Sequence, residues 1–106
     1  MLPWFACVTV QNVSQPPPMT IPETAQGAIA AARQLGAQLY QISPEAWTVQ
    51  TVESRTWPNG CLGLGGPDEL CTQALVPGWR IVLSDGSRSY GFRSDRPGRQ
   101  VRPESP

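Results

Sequence analysis

Trp79-Arg80-Ile81-Val82-Leu83-Ser84, then Asp85-Gly86, then Ser87-Arg88-Ser89-Tyr90-Gly91-Phe92-Arg93 is the stretch that decides the fold. Its large apolar residues recur at every second position, the period of a half-buried strand. Asp-Gly between two such runs predicts an antiparallel hairpin with a two-residue type I′ turn. Setting Ser84 opposite Ser87 pairs Ile81 with Tyr90 and Trp79 with Phe92, on the same face as Leu83. That face is the core side. Arg80, Ser89, Gly91 and Arg93 then occupy the other face.

Working outward, Trp47 to Trp57 reads as a long strand with Trp47, Val49 and Thr51 on one side. Val52 breaks that alternation, which predicts a bulge or a change of face. Pro58-Asn59-Gly60 ends the strand. Upstream, Thr20-Ile21-Pro22-Glu23 carries a capping-box signature, with Thr at the cap and Glu three positions on. Ala25, Ala28, Ile29, Ala32, Leu35 and Leu39 follow at helical spacing, and Gly36 is expected to end the helix in the left-handed conformation. Downstream, Arg99 to Arg102 predicts a short edge strand. The expected fold is α+β: one N-terminal helix packed on a three- to four-stranded antiparallel sheet.

The chain has 106 residues, room for a single domain, and a hydrophobic fraction of 40%, enough for one modest core. Twelve prolines and ten glycines assign much of it to turns and extended connections. Residues 1–13 are apolar but too short to span a bilayer, and they lack the basic start of a signal peptide. Trp4-Phe5-Ala6-Cys7 weakly resembles the end of a lipoprotein signal. Residues 1–13 are either the remnant of an export segment or an N-terminal strand or arm. Ser14 to Pro18 reads as a polyproline spacer. The expected organisation is an arm and spacer over 1–18, one α+β domain over 19–102, and a flexible tail over 103–106.

Eight basic and eight acidic residues cancel, which argues against a nucleic-acid footprint over the whole surface. All eight basic residues are Arg, and six of them lie between positions 80 and 102. Such an end could engage carboxylates or phosphates. A solvated sheet surface explains it more simply, since no aromatic platform for bases is interleaved. There is no histidine, so the commonest general base, the commonest metal ligand and Ser-His or Cys-His nucleophile systems are all excluded.

Between strand and hairpin lies the glycine-rich run Trp57-Pro58-Asn59-Gly60-Cys61-Leu62-Gly63-Leu64-Gly65-Gly66-Pro67-Asp68-Glu69-Leu70-Cys71. Cys61 and Cys71, ten apart, suit a disulfide across a folded-back loop and do not suit zinc, which wants close Cys pairs or His. Two buried free thiols are the cytosolic alternative. No Lys-Ser/Thr and no helix follow the glycines, so phosphate-loop and dinucleotide fingerprints fail. Asp68 and Glu69 lack a companion base, nucleophile or oxyanion set, and calcium would need more regularly spaced oxygen ligands. No catalytic residue, metal or cofactor is expected.

From Ala28 to Arg102 the chain resembles a family of small, uncharacterised exported domains found in cyanobacteria and other bacteria. Leu35-Gly36, Trp57-Pro58-Asn59-Gly60-Cys61-Leu62-Gly63, Gly66-Pro67 and Val76-Pro77-Gly78-Trp79 carry the resemblance. Members often place a Tyr-x-Tyr-His-Thr-Asp-like stretch on the last hairpin strand. Tyr90-Gly91-Phe92-Arg93-Ser94-Asp95 stands there instead, so no role for that His carries over. The resemblance implies export, often as a lipoprotein or attached module, and no established activity.

The expected function is therefore a non-enzymatic, extracytoplasmic protein-binding module, with a protease-inhibitor-like domain as its finer form. Trp57, Leu62, Leu64, Leu70, Trp79, Arg80 and Arg93 are its candidate contact residues, with the loop flanked by Trp57 and Trp79. The plainer alternative for the leucines is that they fill the loop's own small core. The alternative function is an accessory or regulatory subunit of a membrane-associated complex in the periplasm or thylakoid lumen, docking through the arginine-rich face and residues 1–13. The expected partner is another protein, not nucleic acid, and the isolated chain is expected to be a monomer.

Overall fold

The computed structural model describes residues 21–104, and the arm, Cys7, the polyproline spacer and the Thr20 cap lie outside them. A 3-10 turn over Glu23–Ala25 leads into helix α1, Gln26–Tyr40. Strands β1 (Thr48–Trp57), β2 (Val76–Ser84), β3 (Ser89–Asp95) and β4 (Val101–Pro103) follow. They form one antiparallel sheet in the order β1-β2-β3-β4, with α1 against one face. The fold is the expected α+β.

Alternation decides which face is which. Trp79, Ile81, Leu83 and Phe92 point toward α1 and are buried with Ala25, Ala28, Ile29, Ala32 and Trp47. The helix stripe is mostly alanine, so the helix axis sits close to the sheet. Gly36 carries this further. It lies inside α1 and is buried, and a Cβ there would stand 2.7 Å from Trp47 Cζ2 and 3.2 Å from Phe92 Cζ. The expected helix end at Gly36 is therefore wrong: the glycine is a contact surface for two aromatic rings. The helix continues to Tyr40, and Gln41 takes the left-handed cap with φ 60°. Leu39, beyond that close contact, is 47% exposed.

Two details of the strands differ from expectation. The β2–β3 connection is Asp85-Gly86-Ser87-Arg88, because Ser84 pairs with Ser89. Asp85 sets this loop: its Oδ1 accepts the backbone N–H groups of Ser87 at 2.8 Å and Arg88 at 2.7 Å. These bonds hold its carboxyl below the usual range, the Arg88 N–H contributing most. Ile81 thus faces Phe92, Leu83 faces Tyr90 and Trp79 faces Ser94. A slip of two residues preserves the inward set. In β1 the irregularity falls between Val49 and Thr51, so Gln50 is the extra residue. The expected bulge is present, and it puts Val52 opposite Ile81 on the helix side while Thr51 turns to the other face.

Candidate functional site

The sheet's second face is built around Trp57. This ring is buried, on the side opposite α1, with Cys61 and Leu62 beside it as a separate small core. Its Nε1 donates to the Ser94 carbonyl at 3.0 Å, reaching across β2 to β3. It can do so because residue 78 has no side chain. A Cβ on Gly78 would fall inside the van der Waals shell of the Ser94 oxygen and 2.9 Å from Trp57 Nε1. The Trp-Pro-Asn and Pro-Gly-Trp segments are thus two halves of one contact.

Arg93 closes the contact from above. Its guanidinium carbon lies 4.5 Å from the Trp57 ring centroid, a cation–π distance. Its NH1 donates to the Leu62 carbonyl at 2.9 Å and its Nε to Glu104 Oε2 at 3.1 Å. Glu104 also receives both Nε and NH2 of Arg80, at 2.9 and 2.8 Å. The Arg80 guanidinium, and then that of Arg93, hold this carboxyl below its ordinary range. Room for it comes from Gly91, where a Cβ would overlap Glu104 Oε1. Glu104 also donates its N–H to the Gly91 carbonyl at 2.9 Å. Pro103 and Glu104, expected in a flexible tail, are structural. Their link to Arg80 spans 24 residues, which no local pattern announces.

The row Glu53, Arg80, Arg93, Arg102 crosses all four strands, each residue opposite the next. Like charges directly opposite repel. Glu104 between Arg80 and Arg93, and Glu69 on Arg102, relieve that repulsion.

The glycine-rich loop lies on this face, fastened at several points. Cys61 and Cys71 are joined by a disulfide, with Cα atoms 5.4 Å apart. Gly60 donates its N–H to the Thr72 carbonyl at 2.9 Å. Asn59 Oδ1 accepts from Cys61 N at 2.9 Å and Gly63 N at 3.1 Å. This holds Leu62 (φ 59°) and Gly63 (φ 75°) in left-handed conformation, which aims the Leu62 carbonyl at Arg93. For a leucine that conformation costs roughly 1–2 kcal/mol. Gly65 leaves room for the sulfurs, since a Cβ would stand 2.6 Å from Cys71 Sγ. Gly66-Pro67-Asp68-Glu69 is a β-turn closed by Glu69 N donating to Gly66 O at 3.1 Å. The Glu69 carboxylate meets the Arg102 guanidinium and accepts the Gly66 N–H, and these push its pKa down to about 2.

The candidate contact residues therefore separate. Trp57 and Leu62 are buried beneath the loop, and Leu64 is half-buried. Trp79 does not flank the loop: it belongs to the helix-side core, capped by Arg96 at 5.7 Å. Arg80 and Arg93 are engaged by Glu104. Leu70 is 97% exposed, next to the disulfide. Leu75, which sequence reasoning missed, is 70% exposed on the way to β2. An isolated leucine after a loop gives no periodic signal to find it by.

Residues 29–103 match the model of a family described as a domain of unknown function, DUF8738. The chain belongs to that family. The matched stretch of the DUF8738 domain contains α1 from Ile29 onward, the whole sheet and the disulfide loop. Neither the curated proteins nor the solved structures contain a match to it. No described helix is long and apolar enough to cross a membrane, and no ligand-sized cavity or cluster of metal-binding side chains occurs among the described residues. The disulfide suggests a non-cytoplasmic compartment, where thiols are not kept reduced.

Proposed function

We propose that this DUF8738 domain is a non-catalytic protein-binding module of an extracytoplasmic compartment, meeting its partner through residues 64–75 with Leu70 as the central contact. The observation that carries the reading is Leu70 itself, 97% exposed one residue before a disulfide-fixed Cys71. A leucine held fully in water forfeits roughly 1.5–3 kcal/mol that burial against a partner would return. Fastening the loop beforehand lowers the entropy that binding must overcome. Within this class, a protease inhibitor is the finer reading, since an exposed apolar side chain on a tethered loop can fill an apolar specificity pocket. The periplasm, the thylakoid lumen or the exterior would suit the disulfide, with Cys7 as a lipid attachment point.

A photoreactive amino acid at position 70, tested in cells, should give one discrete adduct with a second protein. The same probe at Gln38, on the exposed side of α1, should give none. The adduct should disappear with Leu75→Asp while the melting temperature is unchanged. A folded protein that forms no adduct from position 70 overturns the reading. Stoichiometric inhibition of a leucine-selective serine protease, lost with Leu70→Asp, would establish the inhibitor form.

The accessory-subunit alternative would dock through residues 1–13 and the arginine-rich face, which includes Arg80 and Arg93. It draws less support, because the Glu104 carboxylate already bridges both guanidiniums and cancels one of their two charges.

A further inference from the structure

Strand β1 is an edge, and its charges are complementary to themselves. β2 pairs with one side of it, and no described strand pairs with the other. Helix α1 packs chiefly over β2, β3 and β4, so among the described residues it leaves the β1 side of the sheet uncovered. The bulge at Gln50 and the ring of Pro58 bound a regular stretch, residues 51–57. Ser54 and Thr56 within it are exposed, and it carries two charges, Glu53 and Arg55. These lie on one face, 2.8 Å apart, with side chains 46% and 49% exposed respectively.

An unpaired edge invites strand addition. For two copies related by a two-fold axis, the axis passes through one residue, which keeps outward-facing donors opposite outward-facing acceptors. Placed at Ser54, the axis sets Glu53 opposite Arg55 of the second copy, and Arg55 opposite Glu53 of the second copy. Val52 then meets Thr56 and Thr51 meets Trp57. Moved one residue either way, the axis opposes Glu53 to itself or Arg55 to itself, which is repulsive. The charges thus select one register.

We propose that the domain self-associates through β1 about an axis at Ser54, joining two four-stranded sheets into one antiparallel sheet of eight. This departs from the monomer expected from the sequence and uses a different surface from Leu70. The two intramolecular Glu53–Arg55 pairs, one in each copy, are exchanged for two pairs between the copies.

Sedimentation equilibrium of the full chain should show mass rising from 11.5 kDa toward twice that value with concentration. Glu53→Arg and Arg55→Glu should each weaken the dimer by about tenfold, since two pairs are lost in each. The double variant Glu53→Arg/Arg55→Glu restores both pairs and should restore the dimer. Antiparallel partners lie within disulfide reach, so oxidised Ser54→Cys should cross-link to itself, above the level of the unsubstituted protein. A chain that stays at 11.5 kDa up to about 1 mM overturns the proposal. So does a dimer that both single swaps leave unchanged.

Discussion

Replacing Gly78 with Ala should cost this domain far more than a methyl group in a strand normally does. The added Cβ would enter the van der Waals shell of the Ser94 oxygen and come 2.9 Å from Trp57 Nε1, so either the indole or β3 must move. A displaced indole leaves a buried N–H without its carbonyl, at about 1–3 kcal/mol. Overpacking adds about 1–3 kcal/mol. Relief of glycine's backbone entropy returns only about 0.5–1 kcal/mol. The net is about 1–5 kcal/mol, centred near about 3, and that central value lowers the melting temperature by about 10–25 °C for a domain of this size. Thermal and urea unfolding followed by tryptophan fluorescence would measure it. The mechanism requires coupling: with Trp57→Phe, which removes the N–H, Gly78→Ala should cost about 1–2 kcal/mol less. Additivity within about 0.5 kcal/mol, or a Gly78→Ala protein as stable as the parent, would refute the reasoning.

Gly36→Ala should destabilise by about 1–3 kcal/mol although alanine favours helix by about 1, because its Cβ would stand 2.7 Å from the Trp47 ring; calorimetry tests this. Replacing Cys61 and Cys71 together by Ala should remove about 2–3 kcal/mol of loop-closure stabilisation, read as a lower urea midpoint with a folded sheet. Glu69 is shifted from an ordinary 4.5 to about 2, and Glu104 is also lowered, so both bind protons more readily in the unfolded chain. The Glu69 contribution is present above about pH 4.5 and is lost as pH falls toward about 2, and that of Glu104 is likewise lost on the acid side of its ordinary range, so acid unfolding should steepen there. Arg102→Gln should remove the larger share of the Glu69 part of the slope, leaving that of the Gly66 N–H.

The α+β class and the inward face of the hairpin were legible because alternation survives a two-residue slip. The slip itself was not. It depends on Asp85 using its side chain to organise a four-residue loop, which Asp-Gly between strands does not distinguish from the shorter turn. Gly36 was misread for a similar reason: glycine late in a helical pattern looks alike whether it ends the helix or admits a ring. The disulfide and the loop were legible from spacing. Trp57, expected as a contact residue, is buried because composition cannot say which aromatic is roofed by an arginine; Leu62 follows the alternative reading of a leucine that fills the loop's own core. Arg93, Leu62 and Glu104 meet only through long-range pairing, and nothing local foretells that.

Trp57, Gly78 and Arg93 together seat one tethered loop on the sheet, with Leu70 left outside. Differential alkylation of the native, unreduced protein, followed by peptide mapping, tests that most directly. Cys61 and Cys71 should resist labelling until reduced and should be recovered in one cross-linked peptide. Labelling of both sulfurs before reduction would contradict the account.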